Sequence, residues 1–289
     1  MEVFHHSCLA MGTRFNLVIP GLSQSNGECL SRAVNSILNS EESRLSAYME
    51  DSELSRINRL APTTQQMVSD EMAAVLDFCQ LTWEQTGGAF DAGLFRLKQN
   101  AGLVDDDFNG GWKNVRWNSP ERLIHFDSND TAIDLGGFGK GWALSKVIDH
   151  LKAEKLDSAF ISFGESSITG HGVHPLGLNW QITISHPSTG VAALFELNNQ
   201  SVSVSGLKSF NEDLSEKERS HIIRPQHPAF VEENRVVVVK SESPLVAEVL
   251  STAVMAASDS QIKQILSNYV NDKIYVCEID APVFKCVSF

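Results

Sequence analysis

The spacing of apolar and polar residues predicts most of the elements of this chain. Phe15, Leu17 and Ile19 alternate through Thr13 to Pro20, the period-two pattern of a half-buried strand. Leu30, Val34, Ile37, Leu38 and Leu45 then fall at helical spacing and predict a long amphipathic helix. Ser69 is a suitable N-cap for a second helix, with Asp70 and Glu71 in its first turn and Met72, Leu76, Cys79 and Trp83 along it. Gly87-Gly88 supplies a left-handed stop. Residues 98–130 are rich in Asn, Asp and Gly and read as loops with short strands. Thr131 to Leu135 reads as a strand running into Gly136-Gly137-Phe138-Gly139, followed by a helix on Trp142, Val147 and Leu151.

Strand-like segments dominate downstream: Ala159 to Phe163, Trp180 to Ile184, Leu194 to Leu197, Ser201 to Ser205 and Val236 to Val239. Ser243-Pro244 combines an N-cap with proline at the first helical position, opening a helix through Leu245, Val249 and Ala256. Lys273 to Glu278 and Val283 to Val287 close the chain as strands. Helices and strands mix without strict βαβα alternation, which favours an α+β fold over a doubly wound sheet. No linker marks a boundary, so residues 1–289 read as one unit.

Composition narrows the function classes. Hydrophobic residues make up 42% and charged residues 20%, enough for a core and too little charge for a disordered chain. The formal net charge of −13 argues against a nucleic-acid binder, which carries a basic face. No stretch reaches the ~20 apolar residues of a membrane span. The first residues lack a basic n-region and a continuous apolar run, so no secretory signal is read. The residues before Cys8 do not form a lipoprotein acylation site. The five cysteines form no CxxC pair, and reduced, mostly buried thiols in a cytoplasmic protein are expected.

Several segments bear chemistry, each with a plainer explanation beside it. Asp134 to Gly141 places glycines between a strand and a helix start, where backbone N–H groups favour phosphate. The glycine order fits neither GxGxxG nor a P-loop, and a tight turn would read the same. Lys140 reads as a solvated first-turn lysine, although a cation there opposes the helix dipole and needs some reason. Glu248 and Thr252, at i and i+4, share one helix face and offer two hard oxygens suited to Mg²⁺; a solvated glutamate and a threonine bonded back to its helix is the plainer alternative. His221 can serve as a general base or be a packed surface residue. Asp91 caps the following segment or bonds a ligand, and Met11 and Tyr48 are core or ligand contacts. His171 and His174 have no third metal ligand in sequence and are discounted.

Taken in order, Met11-Gly-Thr13, Leu45-Ser-Ala-Tyr48, Asp51 to Asn58, Gly87-Gly-Ala-Phe-Asp91, Ile133 to Gly141, Phe163-Gly-Glu-Ser-Ser167, His221-Ile-Ile and Ala247-Glu-Val-Leu-Ser-Thr-Ala253 resemble the FAD:protein FMN transferases, the ApbE family. The resemblance spans nearly the whole chain and implies a two-lobed, T-fold-related α+β architecture with FAD in a cleft between the lobes. It implies cleavage of the FAD pyrophosphate with Mg²⁺, transfer of FMN to a Thr or Ser hydroxyl of an acceptor flavoprotein, and release of AMP. Carried over by position, Met11, Tyr48, Ala89, Phe90, Asp91, Asp134 and Lys140 would contact FAD. Gly137, through its carbonyl, and Glu248, Ser251 and Thr252 would ligate the metal, and His221 would activate the acceptor hydroxyl. The chain departs from the family pattern in three places: Glu248 stands where many relatives carry Asp, Val204-Ser-Gly206 replaces Thr-Ser-Gly, and Arg224 to Pro228 replaces Asp-Pro and a Thr-Gly pair. The altered segment from Arg224 to Pro228 motivates one alternative, an FAD-binding protein without transferase activity; another, an FAD pyrophosphatase giving FMN and AMP, would use the same metal site with water as acceptor.

Overall fold

A computed structural model describes residues 2–100, 108–185, 190, 192–206, 222–226, 229–233, 235–278 and 281–287. The chain opens with a hairpin, β1 (Val3–Ala10) and β2 (Thr13–Pro20), turning at Met11-Gly12. Helices α1 (Gln24–Leu45) and α2 (Glu53–Leu60), the short strand β3 (Gln66–Met67), α3 (Asp70–Gln85) and α4 (Phe95–Gln99) follow. Next come β4 (Val115–Asn118), β5 (Leu123–Phe126), α5 (Gly139–Ala153), β6 (Ser158–Phe163), β7 (Ser167–Gly172), β8 (Trp180–Ser185), β9 (Ala192–Leu197) and β10 (Gln200–Ser205). After the short strands β11 (Ile223–Arg224) and β12 (Ala229–Phe230) the chain finishes with β13 (Arg235–Ser241), α6 (Pro244–Ala256), α7 (Asp259–Asn268), β14 (Lys273–Glu278) and β15 (Ala281–Val287).

One antiparallel sheet organises the molecule, in the order β1-β2-β6-β7-β10-β13-β14-β15. Helices cover one face. Phe15, Leu17 and Ile19 of β2 pack with Leu30, Val34 and Leu38 of α1 and with Leu144, Val147 and Leu151 of α5. Farther along, Val237 and Val239 of β13 pack against Val249, Leu250 and Ala253 of α6. The β8–β9 hairpin covers the other face, where Trp180, Ile182 and Phe195 meet Val236 and Val238. Both faces of β13 are therefore buried, which explains its unbroken valine run. Burying a valine side chain contributes about 1.5–3 kcal/mol, so this run anchors the sheet centre.

The caps read from sequence are present: Ser69 Oγ accepts from Met72 N, and Ser243 Oγ accepts from Val246 N with Pro244 opening α6. Gly87 and Gly88 take φ values of 60° and 77°, the left-handed stop after α3. Three carbonyls at this helix end, those of Glu84, Gln85 and Gly87, accept from the side-chain amides of Gln264, Asn268 and Gln261 on α7.

Some expectations needed correction. Thr131 to Leu135 is not a ladder strand: it makes one parallel bridge, Ala132 with Leu94, and its backbone bonds go to Ala92, Phe95 and Ser128 and to the Asn58 side chain. Polar groups of a neighbouring loop replace the missing ladder there. Strands β1 and β7 and helices α2 and α7 were not expected, because their apolar periods are short or mixed with polar residues. The thiols are not mostly buried: Cys79 and Cys277 are, Cys8 is intermediate, and Cys29 and Cys286 are exposed.

Candidate functional site

The turn from Asp134 to Lys140 separates two cavities. One, of about 410 Å³, lies between Met11, Tyr48 and Met49 and the turn residues Leu135 and Gly139. The other, of about 440 Å³, is lined by Ala89, Phe90, Asp91 and Lys98, by Gly137, Glu248 and Thr252, and by the end of β10. Asp134, Gly136 and Lys140 line both.

Each wall has a local cause. Met11 sits in the hairpin turn with φ 49°, a left-handed conformation, and its sulfur lies 3.7 Å from where a Cβ on Gly139 would stand. Tyr48 is 70% exposed, neither core nor loop decoration, and its ring meets Phe95 edge-on at 5.2 Å. That contact fixes an aromatic face at the first cavity. Phe90 N donates to Thr86 Oγ1 at 3.0 Å, which ties the Ala89–Phe90 wall to the end of α3.

Asp91 accepts from the backbone N–H of Gly93 at 2.7 Å and of Trp112 at 2.9 Å. It thereby staples the segment after α3 to the segment entering β4, while still facing the second cavity. Burial pushes its carboxyl up to about 6, against the opposing pull of these N–H donors and the Trp83 indole.

Asp134 Oδ1 accepts from Gly136 N at 3.1 Å, and Oδ2 pairs with Lys98 Nζ at 2.6 Å. The turn itself is held from behind by Asn58, whose side chain bonds both the N–H and the carbonyl of Ile133. It presses directly on α6. A Cβ on Gly137 would stand 3.0 Å from Thr252 Oγ1, and one on Gly141 would stand 2.7 Å from the Pro244 carbonyl and 2.8 Å from Glu248 Cβ. The glycines at these two positions therefore serve close approach between the turn and the helix.

Glu248 is 4% exposed, so it is not a solvated helix residue. Its Oε1 pairs with Lys140, which gives that lysine the reason it lacked in sequence, and its Oε2 accepts from Ser167 and, at 3.0 Å, from Ser203. Thr252 Oγ1 bonds back to the Glu248 carbonyl at 3.3 Å yet lines the cavity. Ser251 faces the sheet instead, accepting from Ser205 at 2.9 Å and lying 3.0 Å from Ser203 Oγ, and it lines neither cavity. His221 lies outside the described residues.

The structure thus brings together Met11, Tyr48, Ala89, Phe90, Asp91, Asp134, Gly137, Lys140, Glu248 and Thr252 around one turn. It adds Asn58, Lys98, Ser167 and Ser203, to which no role was given from sequence. Only the alternation in Ser-Val-Ser-Val-Ser205 hinted at the last, as a polar strand face with no stated partner. Among the described residues no group of three or more His, Cys, Asp and Glu side chains could hold a metal ion. A carboxylate, a hydroxyl and backbone oxygens are hard donors that suit Mg²⁺, which keeps waters and phosphate oxygens in its remaining positions. Glu248, Thr252 and Gly137 fit that pattern.

The sequence model of the ApbE family matches residues 11–275. The FAD:protein FMN transferase of Escherichia coli K12 is 24% identical over 277 residues, covering 89% of this chain and 79% of that protein. The FAD:protein FMN transferase of Vibrio cholerae serotype O1 is 25% identical over 283 residues, covering 90% and 83%. Among solved structures, the flavin transferase ApbE from Vibrio cholerae superposes with a TM-score of 0.83 at 22% identity, covering 99% of this chain and 96% of that one. The ApbE protein from Thermotoga maritima gives a TM-score of 0.85 at 20% identity, covering 99% and 97%.

Proposed function

This chain belongs to the ApbE family, and we propose that it transfers FMN from FAD to a Thr or Ser hydroxyl of an acceptor flavoprotein, releasing AMP, in an Mg²⁺-dependent reaction. The observation that carries the proposal is the meeting of two cavities at one glycine turn flanked by Lys140, Glu248 and Thr252. A dinucleotide has two ring systems joined by a diphosphate. It suits a site with a chamber on either side of a turn that approaches helix α6 without side chains in the way.

In this reaction the acceptor oxygen attacks the FMN phosphorus, the P–O bond to the AMP phosphate breaks, and the hydroxyl proton passes to a base. Phosphoryl transfer depends on positioning and charge neutralisation more than on covalent work by the protein. Tyr48 and Met11 offer an aromatic face and a polarisable thioether to a planar ring, and Ala89 and Phe90 shape the opposite chamber. Asp134 and Lys140, which line both cavities, would stand at the diphosphate between them. Glu248, Thr252 and the Gly137 carbonyl would hold the divalent ion, with Ser251 supporting the helix face behind them through its bonds to β10. A bound Mg²⁺ would neutralise the diphosphate and make AMP a better leaving group. His221 is assigned as the base that takes the hydroxyl proton.

The deciding experiment incubates the protein with FAD, Mg²⁺ and a candidate acceptor, then measures AMP and the acceptor's mass. A stoichiometric gain of one FMN phosphoryl group together with AMP supports the proposal. AMP with free FMN and an unmodified acceptor would identify a pyrophosphatase instead, and FAD that stays bound and intact with no AMP formed would identify a flavin-binding protein.

A further inference from the structure

Besides Lys140, a second ammonium stands at the turn. Lys98 lies on α4, three residues after Phe95, and its position is fixed from two directions. The Phe95 N–H donates to the Ala132 carbonyl at 2.9 Å and the Asp134 N–H to the Ala92 carbonyl at 2.8 Å, so the segment carrying Lys98 runs beside the segment entering the turn. The buried Phe95 ring meets Tyr48 edge-on, which brings Lys98 Nζ to 5.9 Å from the Tyr48 ring centre. From there the ammonium reaches Asp134 Oδ2 at 2.6 Å, while Asp134 Oδ1 holds Gly136 N. Lys98 is thus tied to both chambers.

Charge makes this placement consequential. The second cavity is lined by Asp91, Asp134 and Glu248 against Lys98 and Lys140, within a chain of net charge −13. Lys140 is engaged by Glu248, so among the described residues it is Lys98 that balances Asp134. With side-chain exposures of 29% and 18%, this pair is partly withdrawn from solvent, where screening is weaker than at an open surface. Burial by itself would lower the Lys98 ammonium, and the Asp134 carboxylate with Tyr48 outweighs that and raises it, so the positive charge persists. An unbalanced Asp134 would face any phosphate brought to Gly136 and would also be free to swing away from the Gly136 N–H.

Building on the flavin-transfer reading above, we infer that Lys98 is a positioning residue that neutralises and orients Asp134, making the glycine turn receptive to a diphosphate. The selectivity it confers is for phosphate-bearing ligands over the bare isoalloxazine ring. It has no role in proton transfer.

The test is equilibrium binding of FAD, ADP and riboflavin, each with Mg²⁺, to the full chain and to Lys98→Met, Lys98→Arg and the double variant Lys98→Met/Asp134→Asn. Lys98→Met weakens FAD and ADP by about tenfold, equivalent to about 1.4 kcal/mol, and leaves riboflavin unchanged. Lys98→Arg stays close to the original protein because it keeps the charge. The double variant recovers the part of the loss that came from the unbalanced carboxylate, and no more, since Asp134 itself orders the Gly136 N–H. FAD and ADP binding by Lys98→Met unchanged from the original protein, equal losses for all three ligands, or a double variant no better than the single one would each overturn the inference. An original protein that binds none of the three ligands would overturn the flavin-transfer reading together with it, whereas one that binds FAD as tightly as Lys98→Met does overturns this inference alone.

Discussion

Asn58 and Ile133, 75 residues apart, grip each other through two hydrogen bonds: Asn58 Nδ2 donates to the Ile133 carbonyl at 2.8 Å, and Ile133 N donates to Asn58 Oδ1 at 2.7 Å. The side-chain amide stands in for a neighbouring strand, satisfying both backbone groups of a buried residue just before the glycine turn. It converts a loop into a fixed base for Asp134.

Replacing Asn58 with Ala leaves that N–H and carbonyl without partners. Each buried unpaired group costs about 1–3 kcal/mol, so Asn58→Ala should lose about 2–6 kcal/mol. Urea denaturation reads the loss as a lower midpoint at an unchanged slope. A variant within about 0.5 kcal/mol of the original would show that the turn is held by other means.

Gly141→Ala tests the packing of α5 on α6. Helix propensity alone favours alanine by about 1 kcal/mol. The new Cβ would nevertheless meet the Pro244 carbonyl at 2.7 Å and Glu248 Cβ at 2.8 Å. Overpacking of this kind costs about 1–3 kcal/mol, so the expected net effect is a lower Tm. A raised Tm would mean that the helices separate freely.

Ser203→Ala removes one of the hydroxyls that hold Glu248 Oε2. If Glu248 holds the divalent ion, the Mg²⁺ concentration giving half-maximal AMP release should rise about tenfold, within the range for partners that orient a ligand. Isothermal titration with Mn²⁺ provides the matching measurement without turnover. Unchanged values in both would detach Ser203 from the metal.

The carboxyl of Asp91 is raised to about 6, chiefly by burial. Its folded-state value lies above the unfolded one, so the native state binds the extra proton between about pH 4 and 6. The associated stability is complete below pH 4 and is lost as pH rises through 6. Asp91→Asn abolishes that titration, so the stability difference between the two proteins should change across this window by up to about 3 kcal/mol. Parallel stability curves from pH 4 to 7 would contradict the assignment.

His221→Ala should keep FAD binding and slow acceptor labelling by about 10²–10⁴-fold, the usual contribution of a general base. Flavin fluorescence and acceptor mass separate the two effects. Labelling at the original rate would assign proton transfer to another group.

The legible parts of the site were those carried by local order in the chain. Ser243-Pro244 announced α6, and the i, i+4 spacing of Glu248 and Thr252 placed both on one face, because a cap and a helical period involve neighbours only. The ordered motifs likewise pointed to the family to which the chain belongs. The exposure of Tyr48 and of Cys29 and Cys286 is not legible in sequence, because burial depends on what packs above a residue. Thr131 to Leu135 reads as a strand since its composition suits one, whereas the backbone at its centre, Ile133, is satisfied by a side chain brought from α2.

By itself, the order of residues determined the α+β class, the helix ends and the set of segments to be brought together, all of which follow from local propensity and short periods. Only the tertiary structure decided that Lys140 meets Glu248, that the serines of β10 turn toward α6, that Ser251 points to the sheet, and that Lys98 joins Asp134. These are contacts between side chains 36 to 108 residues apart. Such pairings are fixed by how the sheet and helices stack, a property of the whole fold that no local window of sequence contains.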